Sequence, residues 1–344
     1  MSIQTYLHSA PKAELHVHLE GAIQPATLLT LARRNNVPLP YDTVEGLREW
    51  FTFRDFLHFI EVYVAITRCL RTAADYELIV HEFGAEMARQ NVRYAEVTFT
   101  PGTHHRLGVP FDTYFAGLTR GRERARQEFG VEMAWIFDIV RDNPGSEHAD
   151  YTLWAALEGR RDGVVALGLG GHENPHPPDR FAPWFDRARA EALHSIPHAG
   201  ETGGPESVWS AIRLLGAERI GHGVRSIEDP ALVEYLREHA IPLEVCPTSN
   251  IRLGLFPSID QHPFRILHDR GVPVTMNSDD PPLFNTTLNR EVSLLAEPFD
   301  FHVTAIDEIL LNGVRHSFLP SDRKAALLTS YRAELEALKL VHLH

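Results

Sequence analysis

Eight short apolar runs rich in β-forming residues recur along the chain, each separated from the next by a stretch with helical periodicity. They are AELHVH (13–18), VRYAEVTF (92–99), EMAWIFDI (132–139), VVALGLG (164–170), HSIPHAG (194–200), ERIGHG (218–223), IPLEVC (241–246) and VPVTMNS (272–278). Between them lie amphipathic patterns such as FDTYFAGLTRGRERARQEFG and PESVWSAIRLLGA. DPALVEYLREHA adds an Asp-Pro start suited to an N-cap and first helical position. Strand–helix alternation repeated eight times predicts an α/β fold closed into a TIM (β/α)8 barrel, with an open doubly wound sheet as the alternative. About seventy residues separate the first two strands, and periodicity there predicts several helices. The expected organisation is a single barrel domain over 1–344, with a helical insertion after strand one over approximately 20–90.

A chain of 344 residues is long enough for such a barrel or for two average domains, and no low-complexity tract or Ser/Gly linker marks a boundary. The formal charge of −13 argues against a nucleic-acid or anionic-membrane partner, because neutralising phosphates needs clustered Lys and Arg. The opening MSIQTYLHSAPKAELH has no basic region followed by an apolar one, and no apolar run is long enough to span a bilayer. No secretion signal or membrane anchor is therefore expected. Cys69 and Cys246 are the only two cysteines, far apart and without C-x-x-C, so a disulfide scaffold is not expected and a reducing cytoplasm fits. Zinc sites built on H-x-E and P-C-x-x-C need two close thiolates. Any metal here must sit on His and carboxylate.

In barrels of this kind the chemistry gathers at the C-terminal ends of the strands. His16 and His18 close strand one, HAGE places His198 and Glu201 after strand five, GHG places His222 after strand six, and NSDDPP places Asp279 and Asp280 after strand eight. Residues i and i+2 of a strand point the same way, so His16 and His18 form a pre-organised chelate facing the barrel axis. His198 and Asp279 can approach from strands five and eight. Three neutral nitrogens and one carboxylate suit a single Zn²⁺ with a further position for water. A four-histidine set is less attractive, because it would spend His222 and leave no base beside that water. Glu206 can serve the helix start in GPES, leaving Glu201 free to face the site. Asp280 before Pro281 can start a helix, but its neighbour Asp279 points elsewhere.

The C-terminal VHLH repeats the H-x-H spacing with His342 and His344, at a terminus expected to fray, and carries no ligand reading. His58, His81, His104, His105, His262 and His316 have surface or packing readings. Trp50, Phe51, Phe53 and Phe56 read as core, with a lid over the substrate as the alternative.

PKAELHVHLEGA, GLGGHE, HAGETGGPES, ERIGHGV, EVCPTSN and NSDDPP, in that order and over nearly the whole chain, resemble the adenosine deaminase family of the metal-dependent amidohydrolases. The resemblance implies that His16, His18, His198 and Asp279 hold one Zn²⁺ per subunit. It implies a proton shuttle at Glu201, and a His222 that orients and helps deprotonate the water. Gly171 would present its backbone to a purine, Asp280 would accept a hydrogen bond from the ring, and His18 and Glu20 would sit near any sugar. The physical case agrees. Zinc can lower the pKa of a water to about 7, and a protonated Glu201 could give purine N1 the proton that makes C6 attackable.

Two departures bear on the substrate. GLGGHE stands where many adenosine deaminases have A-G-D-E, so His172 replaces an acid near the ring. HLEG carries Glu20 where the nucleoside enzymes carry Asp; the longer side chain could bind a 5′-hydroxyl, or fill the ribose space and favour free adenine. HAGETGGPESVW sits closer to the nucleoside enzymes. Adenosine is therefore the first expectation, with adenine and aminodeoxyfutalosine as alternatives and a non-catalytic purine-binding barrel as the reading from another class. The expected partner is a small purine, and no motif speaks to oligomeric state.

Overall fold

The computed structural model describes residues 2–343 except 54, 55 and 144, with the side chains of 56 and 57 outside the description. His344 and the side chain of Phe56 thus lie outside the described residues. The eight predicted strands form as β1 (Lys12–His18), β2 (Val92–Phe99), β3 (Glu132–Val140), β4 (Val164–Gly170), β5 (His194–Ala199), β6 (Ile220–His222), β7 (Leu243–Val245) and β8 (Val274–Met276). All neighbours pair in parallel, in the order β1 through β8 without reversal. A doubly wound sheet would reverse its order midway, so the barrel is the fold.

The seam between β8 and β1 closes through few backbone contacts and several side chains. Asp279 makes an isolated bridge to Val17, its N–H donating to His16 O at 3.1 Å and its carbonyl accepting from His18 N–H at 2.9 Å. Asn277 Oδ1 accepts from Leu15 N–H at 3.0 Å, and Glu14 Oε1 accepts from the Ser278 N–H at 2.9 Å. The barrel closure therefore runs through Asp279 and the candidate ligand pair, His16 and His18.

Alternation along the strands builds the interior. Ile136, Ala166 and Ile196 form an apolar layer with Phe318 packed against it. Two residues further along each strand stand Asp138, Gly168 and His198, which the period of two turns toward the same axis, nearer the mouth. Glu96 of β2 and Glu244 of β7 also point inward and share the buried Arg219, at 2.5 Å each.

Between β1 and β2 lie the helices Pro25–Asn35, Val44–Phe51, Phe56–Arg68 and Ala73–Arg89, which fill the stretch expected to hold an insertion. Its aromatic residues pack in two places. Trp50 and Phe51 are buried, as core. Phe53 and Phe59 pack on Phe284, which closes the short helix that follows Asp280, with the Phe59 and Phe284 rings stacked at 5.6 Å. That part of the insertion covers the end of β8. The Asp-Pro start behaves as expected: Asp229 caps Pro230–Glu238 by accepting from Ala231 N–H. No helix among the described residues is long and apolar enough to cross a membrane.

Candidate active site

His16, His18, His198, His222, Glu201 and Asp279 converge at the C-terminal mouth of the barrel. His18 Nε2 lies 3.3 Å from His198 Nε2 and 3.4 Å from Asp279 Oδ1, and His16 Nε2 lies 3.6 Å from the same oxygen. Four ligand atoms around Zn²⁺ at bonds of about 2.1 Å stand about 3.4 Å apart. These three separations match, and His16 Nε2 is buried without a hydrogen-bond partner. Among the described residues, the sets whose ligand atoms all lie within 4.8 Å of one another are His16, His198 and His222, and His16, Cys246 and Asp279. Burial pushes the His18 imidazole down and the His198 imidazole well down, toward the neutral form that binds metals. Burial opposes protonation of His16 too, but Asp279 and Glu244 outweigh it and lift this ring to about 10. Those carboxylates draw a proton where a cation fits. Asp279 and His222 both adopt left-handed backbone, at φ 65° and 60°, a strain that other residues hold in place at working sites.

Three of these side chains, those of His16, Asp279 and His222, are oriented by residues given no role in the sequence. Glu244 Oε2 accepts from His16 Nδ1 at 3.0 Å while its other oxygen holds Arg219, a carboxylate–histidine arrangement that aims Nε2 at a metal. Ser249 Oγ donates to Asp279 Oδ2 at 2.6 Å. His222 is set by a relay. Phe264 N–H donates to His262 Nδ1, so this imidazole, pushed down to about 3 by burial, carries its proton on Nε2. It donates to Asn250 Oδ1 at 3.0 Å, which turns the Asn250 amide N–H toward His222 Nδ1 at 3.1 Å. Neutral His222 therefore carries its proton on Nε2, the nitrogen 3.6 Å from Glu201 and 3.8 Å from Asp279. Ser249 and Asn250 belong to EVCPTSN, a motif whose residues have no role assigned from sequence; His262 has a surface or packing reading there.

Glu201 faces the site, and Glu206 lies in the first turn of Pro205–Leu215, as expected. The Glu201 loop hangs on Glu173, whose carboxylate accepts from the N–H groups of Gly200 at 2.6 Å, Glu201 at 3.1 Å and Gly203 at 2.7 Å. Arg141, buried at the end of β3, donates to the carbonyls of His198 and His176. Burial, then the Asp279 and Glu173 charges, push the Glu201 carboxyl up to about 8, so it holds a proton near neutrality.

Of the remaining expected residues, Glu20 and Asp280 lie on the β8–β1–β2 side and Gly171 follows β4. Glu20 is fully buried: Oε1 accepts from Thr100 N–H at 3.1 Å and meets His104 Nε2 at 3.0 Å, while Oε2 has no partner. His104, given a surface or packing reading from sequence, thus links Glu20 to the Tyr76 hydroxyl, 2.8 Å from its Nδ1. Asp280 begins the helix Pro281–Phe284 without spending its side chain on a cap. Burial, then the Asp279 charge, push it well above the usual carboxylate range. Burial, then Glu20, Asp280 and Asp138, raise the Tyr63 phenol well above its ordinary value. Gly171 has φ 94°, and a Cβ there would lie 2.2 Å from Asp142 Oδ2. Room for Asp142, which also accepts from His172 N–H at 2.8 Å, is thus a reason for glycine besides approach to a ring.

Comparison with known proteins agrees with this geometry. The family model described as adenosine deaminase matches residues 11–333. An aminodeoxyfutalosine deaminase of Streptomyces avermitilis is 44% identical over 94% of this chain and 91% of its own. An adenine deaminase of Cupriavidus necator is 38% identical over 94% and 91%. Among solved structures, an amidohydrolase from Burkholderia ambifaria with bound Zn superposes with a TM-score of 0.91, at 28% identity, covering 98% of this chain and 94% of that one.

Proposed function

The chain belongs to the adenosine deaminase family and is a hydrolytic deaminase of aminopurine-type substrates; from that premise we propose that it converts a 6-aminopurine nucleoside, aminodeoxyfutalosine first, to the 6-oxo product and ammonia. The observation that carries the reading is a proton-bearing Glu201 beside a buried cluster of imidazoles and one carboxylate, in which His18 Nε2 lies 3.3 Å from His198 Nε2 and 3.4 Å from Asp279 Oδ1. His16, His18, His198 and Asp279 would hold one Zn²⁺. When bound, that ion supplies a Lewis-acid charge that makes water a nucleophile near pH 7.

The chain's own residues do the rest. Glu201, acid at neutral pH, gives its proton to ring N1, which relieves the charge that builds as C6 becomes tetrahedral. His222 presents Nε2–H toward the water side of the site, and that tautomer suits a donor that fixes the direction of attack better than a base. Asp280 makes a hydrogen bond with a ring nitrogen, and the backbone at Gly171 borders the base. Buried walls around a flat ring need few polar anchors.

The expectation of adenosine as first substrate gives way here. Aminodeoxyfutalosine is favoured by the 44% relative, with adenine as the second reading on the 38% one. Glu20 is tied back by Thr100 and His104, which favours the reading in which it borders a sugar over the one in which it fills the ribose space. A panel of adenine, adenosine, deoxyadenosine and aminodeoxyfutalosine, compared by kcat/KM with zinc-loaded enzyme, tests the proposal. Aminodeoxyfutalosine should lead. Turnover of adenine alone would overturn the nucleoside reading, and no ammonia from any of the four would overturn the assignment of the site.

A further inference from the structure

β3 is apolar from Met133 to Val140 except at Asp138. That carboxylate is 3% exposed and faces the barrel axis two residues above the Ile136 layer. A buried acid in an apolar strand costs stability unless something uses it. Thr100 Oγ1 donates to Oδ1 at 2.7 Å, and the neighbouring strand is pared back beside the other oxygen. A Cβ on Gly170 would lie 2.7 Å from Asp138 Oδ2, and one on Gly168 would lie 3.0 Å from Asp138 Cβ. Thr100 also binds Glu20, so the two carboxylates share one strand end. The second, independent sign of a ligand is Glu20 Oε2, fully buried and without a hydrogen-bond partner. None of the side chains brought to this wall is an arginine or lysine; it offers the carboxylate oxygens of Asp138 and Glu20, with the Tyr63 hydroxyl beside them.

We infer that Asp138 is a specificity-determining residue that accepts hydrogen bonds from the hydroxyl groups of the sugar carried on the purine, working beside Glu20. The inference rests on the nucleoside reading above and adds to it a residue from outside every motif that identified the site. A competing account makes Asp138 only a strap between β2 and β3 through Thr100. The two differ in what they do to substrate choice. A site built to bind a hydroxyl rejects the analogue that lacks it, because its buried acceptor is left unpaired.

The test compares zinc-loaded wild type with Asp138→Ala and, as the variant that keeps shape and the Thr100 bond, Asp138→Asn. kcat/KM is measured for adenosine, its 2′-, 3′- and 5′-deoxy analogues, aminodeoxyfutalosine and adenine, with Ki for inosine and its deoxy analogues as a binding readout. Wild type should prefer adenosine to at least one deoxy analogue by about tenfold or more. Either variant should shrink that ratio to within about threefold, and lose activity on nucleosides but not on adenine. Equal losses on every substrate, or an unchanged ratio, would overturn the inference while leaving nucleoside deamination standing. A wild type active on adenine alone would overturn both.

Discussion

Replacing Glu244 by glutamine probes how the site is held together without touching a proposed ligand. Glu244 accepts from His16 Nδ1 at 3.0 Å and from Arg219 Nε at 2.5 Å, and all three side chains are buried. Glutamine keeps the volume, so no cavity term enters. Its single amide oxygen can accept from His16 only with the NH2 turned toward Arg219, and the hydrogen bond to His16 changes from charge-assisted, worth about 1.5–3 kcal/mol, to neutral, worth about 0.5–1.5 kcal/mol. The difference, about 1–2 kcal/mol, falls on the metal-binding orientation of His16. At about 1.4 kcal/mol per factor of ten, it predicts zinc affinity weaker by roughly 5- to 30-fold, within the range for residues that orient a metal ligand. Arg219 keeps Glu96 at 2.5 Å, so the fold should survive. The assay titrates metal-free enzyme with chelator-buffered zinc, reading bound metal and activity together, with thermal melting as the control for folding. Activity at saturating zinc should recover to within about tenfold of wild type. An affinity within twofold of wild type would refute the claim that Glu244 acts through His16.

Further expectations concern the acid, the relay and pH. Glu201→Gln should keep its zinc and lose about 10²- to 10⁴-fold in kcat, whereas His16→Ala should lose both metal and activity, as mass spectrometry and ammonia release would show. Asn250→Ala breaks the relay from His262 to His222 and should lower kcat by about tenfold or more with little change in KM. Burial raises Glu14, Asp138 and Glu291 to about 7 and Glu201 to about 8. The folded protein thus keeps protons that the unfolded chain has released, and this stability is complete below the unfolded carboxylate values and lost as pH rises through 7 to 8. Lys12, lowered to about 7 by burial, works the other way above pH 7, the depressed His18, His198 and His262 do so below it, and the raised His16 adds to the loss. The Tm of metal-free protein should fall between pH 7 and 8; a rise there would contradict the assignment.

The alternation of apolar runs and amphipathic stretches was enough to read a barrel, because periodicity states which way each side chain points. It was also enough to place His16, His18, His198, His222, Glu201 and Asp279 at one mouth, since strand ends in such a barrel share a side. The aromatic insertion was less legible. Trp50 and Phe51 sit in core while Phe53 lies over the end of β8, and composition is the same for both roles. The substrate was misjudged in emphasis because motifs around the metal are common to enzymes with different purines.

What only the tertiary structure decided is who supports whom. His16 and Glu244 stand 228 residues apart, and Thr100 and Asp138 stand 38 apart on neighbouring strands. Glu173, Asn250 and His262 look locally like loop and packing residues. A hydrogen bond across the barrel depends on register and closure, which no local pattern records. The chain by itself declares its strands, its helices and the direction of each side chain; the closed barrel alone determines which of them meet.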